Sequence, residues 1–191
     1  RSRMIKLVAQ LLQGLDHAHA AGLVHRDLKP ETVLVDEDDV ARIVDFGIAV
    51  LREPEQNSER LTDTGMIVGT PLYMAPEQAK DEPVDHRADL YALGVIVYEI
   101  MNGAPPFSGS PMEVALAKIR EELPPLPSVP EHAKLLDAFM RKLAARDRDR
   151  RFASAHDALT TLELIDRDPK AASIALGIMD VAKALATISL S

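Results

Sequence analysis

His25-Arg26-Asp27-Leu28-Lys29-Pro30-Glu31-Thr32 lies between an apolar-periodic run, Met4 to Leu23, and a short β-branched run, Val33-Leu34-Val35. A polar stretch so placed reads as a loop where a helix hands over to a strand, and loops on a rigid scaffold are common homes for chemistry. Two cations and a carboxylate fall between His25 and Lys29, and Pro30 bars helix continuation. Alone, such a run is as well read as a solvated turn, so the residues after it decide. Ile43-Val44-Asp45-Phe46-Gly47 ends an apolar strand in Asp-Phe-Gly, and Gly69-Thr70-Pro71-Leu72-Tyr73-Met74-Ala75-Pro76-Glu77 follows.

In this order the three stretches resemble the catalytic loop, the metal-binding Asp-Phe-Gly and the Ala-Pro-Glu motif of protein kinases. The resemblance covers roughly residues 3–166, and with Pro-Glu-Gln-Ala after position 75 it looks like the bacterial serine/threonine kinases of the eukaryotic type. It implies a mainly α fold: the kinase C-terminal lobe, with a short two-stranded β-hairpin carrying the catalytic and Asp-Phe-Gly loops. Residues 1–166 would form that lobe and 167–191 a tail with an amphipathic helix.

Composition narrows the alternatives. Hydrophobic residues make up 47% and charged residues 27% of the 191, ordinary for a globular chain. A net charge of −8 with no block of Lys and Arg argues against a nucleic-acid partner. The absence of cysteine removes disulfides and thiolate chemistry and fits a cytoplasmic setting. No apolar run is long enough to span a membrane. The chain opens with Arg1 and reads as a piece of something longer.

Along the chain, Ile5, Val8, Leu11, Leu12 and Leu15 predict an amphipathic helix over Arg3–Ala21, ended by Gly22. His17 and His19, two residues apart, point to different sides of it and read as ordinary surface and boundary residues. Thr32–Val35 and Ala41–Val44 read as strands joined by the acidic turn 36–39, a solvated hairpin tip. A long polar segment, Arg52 to Thr64, has little periodicity. Asp85 is placed to cap a helix running to Met101 that is apolar nearly all round and therefore buried. Asn102-Gly103 stops it. Further helices are expected over Met112–Glu122, Glu131–Ala144 and Ser154–Asp166, with the proline-rich Leu123–Pro130 as a rigid connector. Ile174, Ile178, Val181, Leu185 and Ile188 form a heptad-like seam, read as packing on its own domain before a dimer contact.

The resemblance assigns roles residue by residue. Asp27 matches the aspartate that orients the substrate hydroxyl and accepts its proton, and Lys29 the lysine that steadies the transferring phosphate. Asp45 matches the Mg²⁺ ligand, a hard cation calling for a carboxylate. Leu34 resembles the side chain under the adenine of ATP. His25 and Phe46 are expected to stack in a hydrophobic column anchored by Asp89, and Glu77 to pair with Arg151. Arg26 would pair with a phosphate on the activation segment, for which Thr62 and Thr64 are the candidate sites. Thr70 resembles the threonine that bonds the catalytic aspartate and lysine.

Two departures stand out. Position 32 is Thr where the pattern has the Asn that serves the second Mg²⁺, and a hydroxyl on a shorter, branched side chain weakens that site. No Gly-x-Gly-x-x-Gly loop and no Val-Ala-Ile-Lys strand precede residue 25, so the nucleotide-clamping N-terminal lobe is expected to be missing and the chain alone inactive. Its parent would phosphorylate Ser or Thr of protein substrates. The alternative is a pseudokinase or docking module, motivated by Thr32. Without the partner lobe, Leu34 and Phe46 should form an apolar patch that favours self-association, there or through the tail.

Overall fold

The structure, a computed structural model, describes residues 3–46, 71–127, 129 and 133–178. Helix α1 (Arg3–Ala20) buries Ile5, Val8, Leu11, Leu12 and Leu15, the residues whose spacing predicts it. Leu12 and Leu15 expose no surface, and each such burial stabilises the fold by roughly 2 kcal/mol. The helix stops where Leu23 N–H turns back to the Ala18 carbonyl at 2.9 Å, with Gly22 at φ 76°.

Strands β1 (Val33–Val35) and β2 (Ala41–Ile43) pair antiparallel, Leu34 opposite Arg42. Thr32, expected in the first strand, instead closes a 3-10 turn, Pro30–Thr32. The acidic tip is more than a solvated turn. Asp36 Oδ1 accepts the amides of Val40 at 2.9 Å and Asp38 at 3.1 Å. The Val40 amide, then the Arg42 guanidinium, holds the Asp36 carboxyl below the usual range. Gln10 of α1 docks the hairpin through one amide group: its Nε2 donates to Asp39 O at 2.9 Å and its Oε1 accepts from Ala41 N–H at 2.8 Å.

A short helix α2 (Pro76–Ala79), not anticipated, leads into α3 (Arg87–Asn102). The N-cap is His86, whose side chain makes no capping bond; Asp85, expected to cap, stands one position earlier and accepts the Arg87 amide at Oδ1 at 2.8 Å. Every residue from Ala88 to Tyr98 is buried, making α3 the centre of the core. A Cβ on Gly94 would lie 2.7 Å from Ala144 Cβ, so only glycine lets the two segments approach this closely. Gly103, at φ 79°, ends the helix by donating to Glu99 O at 2.7 Å.

Helix α4 (Pro111–Arg120) starts earlier than its apolar pattern, because Ser110 and Glu113 form a capping box. Helices α5 (Lys134–Leu143), α6 (Ala155–Arg167) and α7 (Pro169–Ala175) complete the lobe. Helix α1 packs on α6, α3 on α5, α2 on α4, and β2 on α1. The mainly helical lobe with one small hairpin is the expected architecture. The tail differs. Asp168 caps a new helix by accepting Ala171 N–H, and α7 already closes at Ala175. Gly177 then takes φ 71°, and the Ile178 amide turns back to Ser173 O at 2.9 Å. Ile174 and Ile178 therefore do not share one helical seam, which corrects the expectation of a single tail helix; Val181, Leu185 and Ile188 lie outside the described residues. No helix among the described residues is long and apolar enough to cross a membrane.

Candidate functional site

The loop after α1 is held from below by one side chain. Asp89 of α3 exposes no surface. Its Oδ2 accepts the His25 amide at 2.8 Å, its Oδ1 the Arg26 amide at 2.8 Å. His19 Nε2 lies 2.9 Å from Oδ2 and, facing a carboxylate, must donate. His25, 1% exposed, bridges two segments. Its Nε2 faces Val44 O at 2.8 Å and its Nδ1 faces Asp27 N–H at 3.2 Å. A carbonyl only accepts and an amide only donates, so the ring is the neutral Nε2–H tautomer with both nitrogens satisfied. The Phe46 ring meets it edge-on, centroids 4.8 Å apart.

What this scaffold presents is open to solvent. Asp27 and Lys29 face each other at 2.8 Å, their side chains 63% and 37% exposed. The hydrogen bond that Lys29 donates to Asp27 raises the Lys29 pKa against the opposing effect of burial, so the ammonium stays charged. Asp45 is exposed, at φ 67°, and its carboxylate makes no hydrogen bond or ion pair among the described residues, its charge reaching Lys29 only at longer range. Leu34 is 56% exposed on β1.

Thr32 is placed otherwise. It is 4% exposed, its hydroxyl donates to Lys29 O at 3.0 Å and accepts Lys29 N–H at 3.1 Å. The hydroxyl hydrogen is thus engaged in closing the loop. As a test of fit for Mg²⁺, Asp45 offers a free carboxylate, whereas Thr32 offers at most one buried lone pair. No group of three or more metal-ligating side chains is found among the described residues.

Further from the loop, Glu77 of α2 and Arg151 form a bidentate pair at 2.6 and 2.7 Å, 4% and 0% exposed. The guanidinium also donates to the carbonyls of Ala145 at 2.8 Å and Arg87 at 2.9 Å. It lies 4.9 Å from the centre of the Tyr91 ring, whose hydroxyl burial pushes up. Thr62, Thr64 and Thr70 lie outside the described residues. The Arg26 guanidinium makes no hydrogen bond or ion pair among the described residues.

Two site residues escaped the sequence reading. His19, read as ordinary, shares Asp89 with the loop; its position four after Leu15, on the edge of the apolar face, was the available signal. Gln78 bonds the loop from α2, and no periodicity marks it.

Comparison with known proteins bears on the same segment. The family model described as protein kinase domain matches residues 1–162. A probable serine/threonine-protein kinase of Streptomyces coelicolor is 40% identical over 181 residues, 93% of this chain and 26% of that protein. Serine/threonine-protein kinase pkn3 of Myxococcus xanthus is 39% identical over 175 residues, 87% of this chain and 32% of that protein. Serine/threonine-protein kinase PknB of Mycolicibacterium smegmatis is 40% identical over 157 residues, 80% of this chain and 24% of that protein. The chain therefore spans about a quarter to a third of the length of these relatives.

Proposed function

Because the chain belongs to the protein kinase domain family, we propose that it is the C-terminal lobe of a kinase that moves the γ-phosphate of ATP to Ser and Thr hydroxyls of proteins. The observation that carries the reading is the contrast at one loop: a backbone locked by Asp89 presents Asp27 and Lys29 as a solvent-open pair 2.8 Å apart. Such a pair suits a reaction that needs positioning and charge neutralisation more than covalent chemistry. The substrate hydroxyl oxygen attacks the γ-phosphorus, its proton passes to Asp27, and the bond to the ADP oxygen breaks. Lys29 holds charge on the transferring phosphoryl group. Asp45 would hold Mg²⁺, which when bound neutralises the nucleotide phosphates. Leu34 would lie against the adenine. Arg26, its guanidinium unengaged among the described residues, is available to a phosphate on Thr62 or Thr64, and Thr70 would tie the segment back to Asp27.

Thr32 supports a single strong metal site rather than two. It also supports a second reading, a pseudokinase or docking module. ATP-dependent chemistry places the working lobe in the cytoplasm, with a nucleotide-binding lobe over Leu34. Without that lobe, the exposed Leu34, Val35 and Val40 favour weak nucleotide binding and self-association. The test is phosphate transfer from Mg·ATP by the full-length protein that contains this chain, to itself or to a protein substrate. Transfer that disappears in Asp27→Asn is expected. No transfer by wild type, and none on Thr32→Asn, would leave the docking module as the reading.

A further inference from the structure

The geometry points to Gln78 as a positioning residue that holds the catalytic loop at a fixed distance from the Tyr73–Ala75 backbone. The inference rests on the kinase reading above and adds to it a residue for which that reading has no role.

The starting point is Arg26, immediately before Asp27. Its φ of 65° lies in the left-handed region, where a residue with a Cβ costs about 1–2 kcal/mol. Such a conformation persists only when its surroundings over-determine it. Here both sides of the residue are gripped by side chains. Its amide donates to Asp89 Oδ1 at 2.8 Å, and its carbonyl accepts from Gln78 Nε2 at 2.7 Å. The other end of the same Gln78 amide group, Oε1, accepts from Ala75 N–H at 3.0 Å. Each partner has one possible role, so the side chain has one orientation: turning it over would set two acceptors and two donors face to face.

One planar group therefore spans two segments. On one side is the peptide that leads into Asp27; on the other is Tyr73-Met74-Ala75. A cavity of about 30 Å³ lies between them, lined by Arg26, Asp27, Lys29, Tyr73, Met74 and Gln78 among others. The far side of the second segment is tied independently, by the Tyr73 hydroxyl donating to Glu99 at 2.6 Å. The preceding residue, Glu77, is locked into Arg151 and so fixes α2 on the core. Asp89 thus sets the height of the loop on the core, and Gln78 sets its lateral distance from Tyr73–Ala75. Gln78 itself makes no bond to the nucleotide side of the loop, at Leu34 or Asp45.

The consequence is a split in kinetics. Losing the clamp misplaces Asp27 relative to a bound hydroxyl, and small misplacements cost large factors in rate, on the order of a hundredfold for 1 Å. ATP binding is untouched. The experiment compares Gln78→Met, which removes both bonds, with Gln78→Glu, which keeps an acceptor for Ala75 but opposes the Arg26 carbonyl, in the full-length protein. Expected is a fall in kcat of about tenfold or more in both, an ATP KM within about twofold of wild type, and a nearly unchanged unfolding midpoint. A kcat within about twofold of wild type in both variants overturns the inference. So does a loss of activity that merely follows the folded fraction. If wild type itself transfers no phosphate, the kinase reading has failed, and hydrogen exchange decides the clamp separately. Faster exchange over residues 24–28 in both variants upholds it, and unchanged exchange there overturns it.

Discussion

Four carboxylates at and behind the catalytic loop fall into two pairs. Glu77 and Asp89 are 3% and 0% exposed, and both oxygens of each are engaged by partners. Asp27 and Asp45 are open to solvent, the first bonded only to Lys29 and the second in no hydrogen bond or ion pair among the described residues. The difference follows from what a buried charge demands. A carboxylate out of water must be saturated with donors or it destabilises the fold, and a saturated carboxylate has nothing left for a substrate. Groups that build the site are therefore buried and complete, and groups that act in it are exposed and incomplete.

The sharpest way to break this division is to unpair the buried side. Arg151→Ala leaves Glu77 in the core without its partner and should cost about 3–5 kcal/mol of stability in chemical denaturation. A loss below about 1 kcal/mol would mean that water reaches Glu77 and that the division is false.

Lys118 sharpens the comparison from another side. It is fully buried with no hydrogen-bond partner among the described residues, its ammonium nitrogen only 4.9 Å from the Tyr91 ring centre. Burial brings its pKa from 10.5 down to about 7, so the core tolerates it by letting it lose its charge. Because the folded pKa is the lower one, the unfolded chain binds more protons between these values. Stability should rise with pH across that window and level off below pH 7. Lys118→Met should stabilise the lobe by about 2 kcal/mol near neutral pH and remove this slope. Denaturation curves of both proteins across the window check it; equal slopes would show that Lys118 is solvated.

The smallest expected effect on stability lies on the exposed side. Asp27→Asn should shift unfolding by no more than about 0.5 kcal/mol. The same change should lower phosphate transfer in the full-length protein by about a hundred- to ten-thousandfold. A large stability change with little loss of transfer would reverse the assignment of Asp27 to the acting pair.

How legible this arrangement was depended on whether neighbours in sequence or neighbours in space decide it. Helix α1 and the buried α3 were legible, since 3.6-residue periodicity is a local property that burial then uses. His25 to Thr32 and Asp45-Phe46 were legible as motifs. The roles of individual members were less so: Thr32 turns its hydroxyl back onto Lys29 instead of outward. The start of α4 was misjudged because a capping box, not an apolar residue, begins it. The tail was misjudged because the seam took no account of Asp168 and Gly177, which start and stop a short helix inside it.

By itself, the sequence determined the family, the order of the elements, the buried central helix and the residues that present charge at the loop, because each is encoded within a few consecutive positions. Only the tertiary structure decided which distant groups complete them. His19 and His25 meet on Asp89 across 70 and 64 positions, Arg151 reaches Glu77 across 74, and Gln78 reaches Arg26 across 52. A hydrogen bond requires its partners within about 3 Å and in line, and that condition is met by the packing of α1, α2 and α3, not by any spacing along the chain.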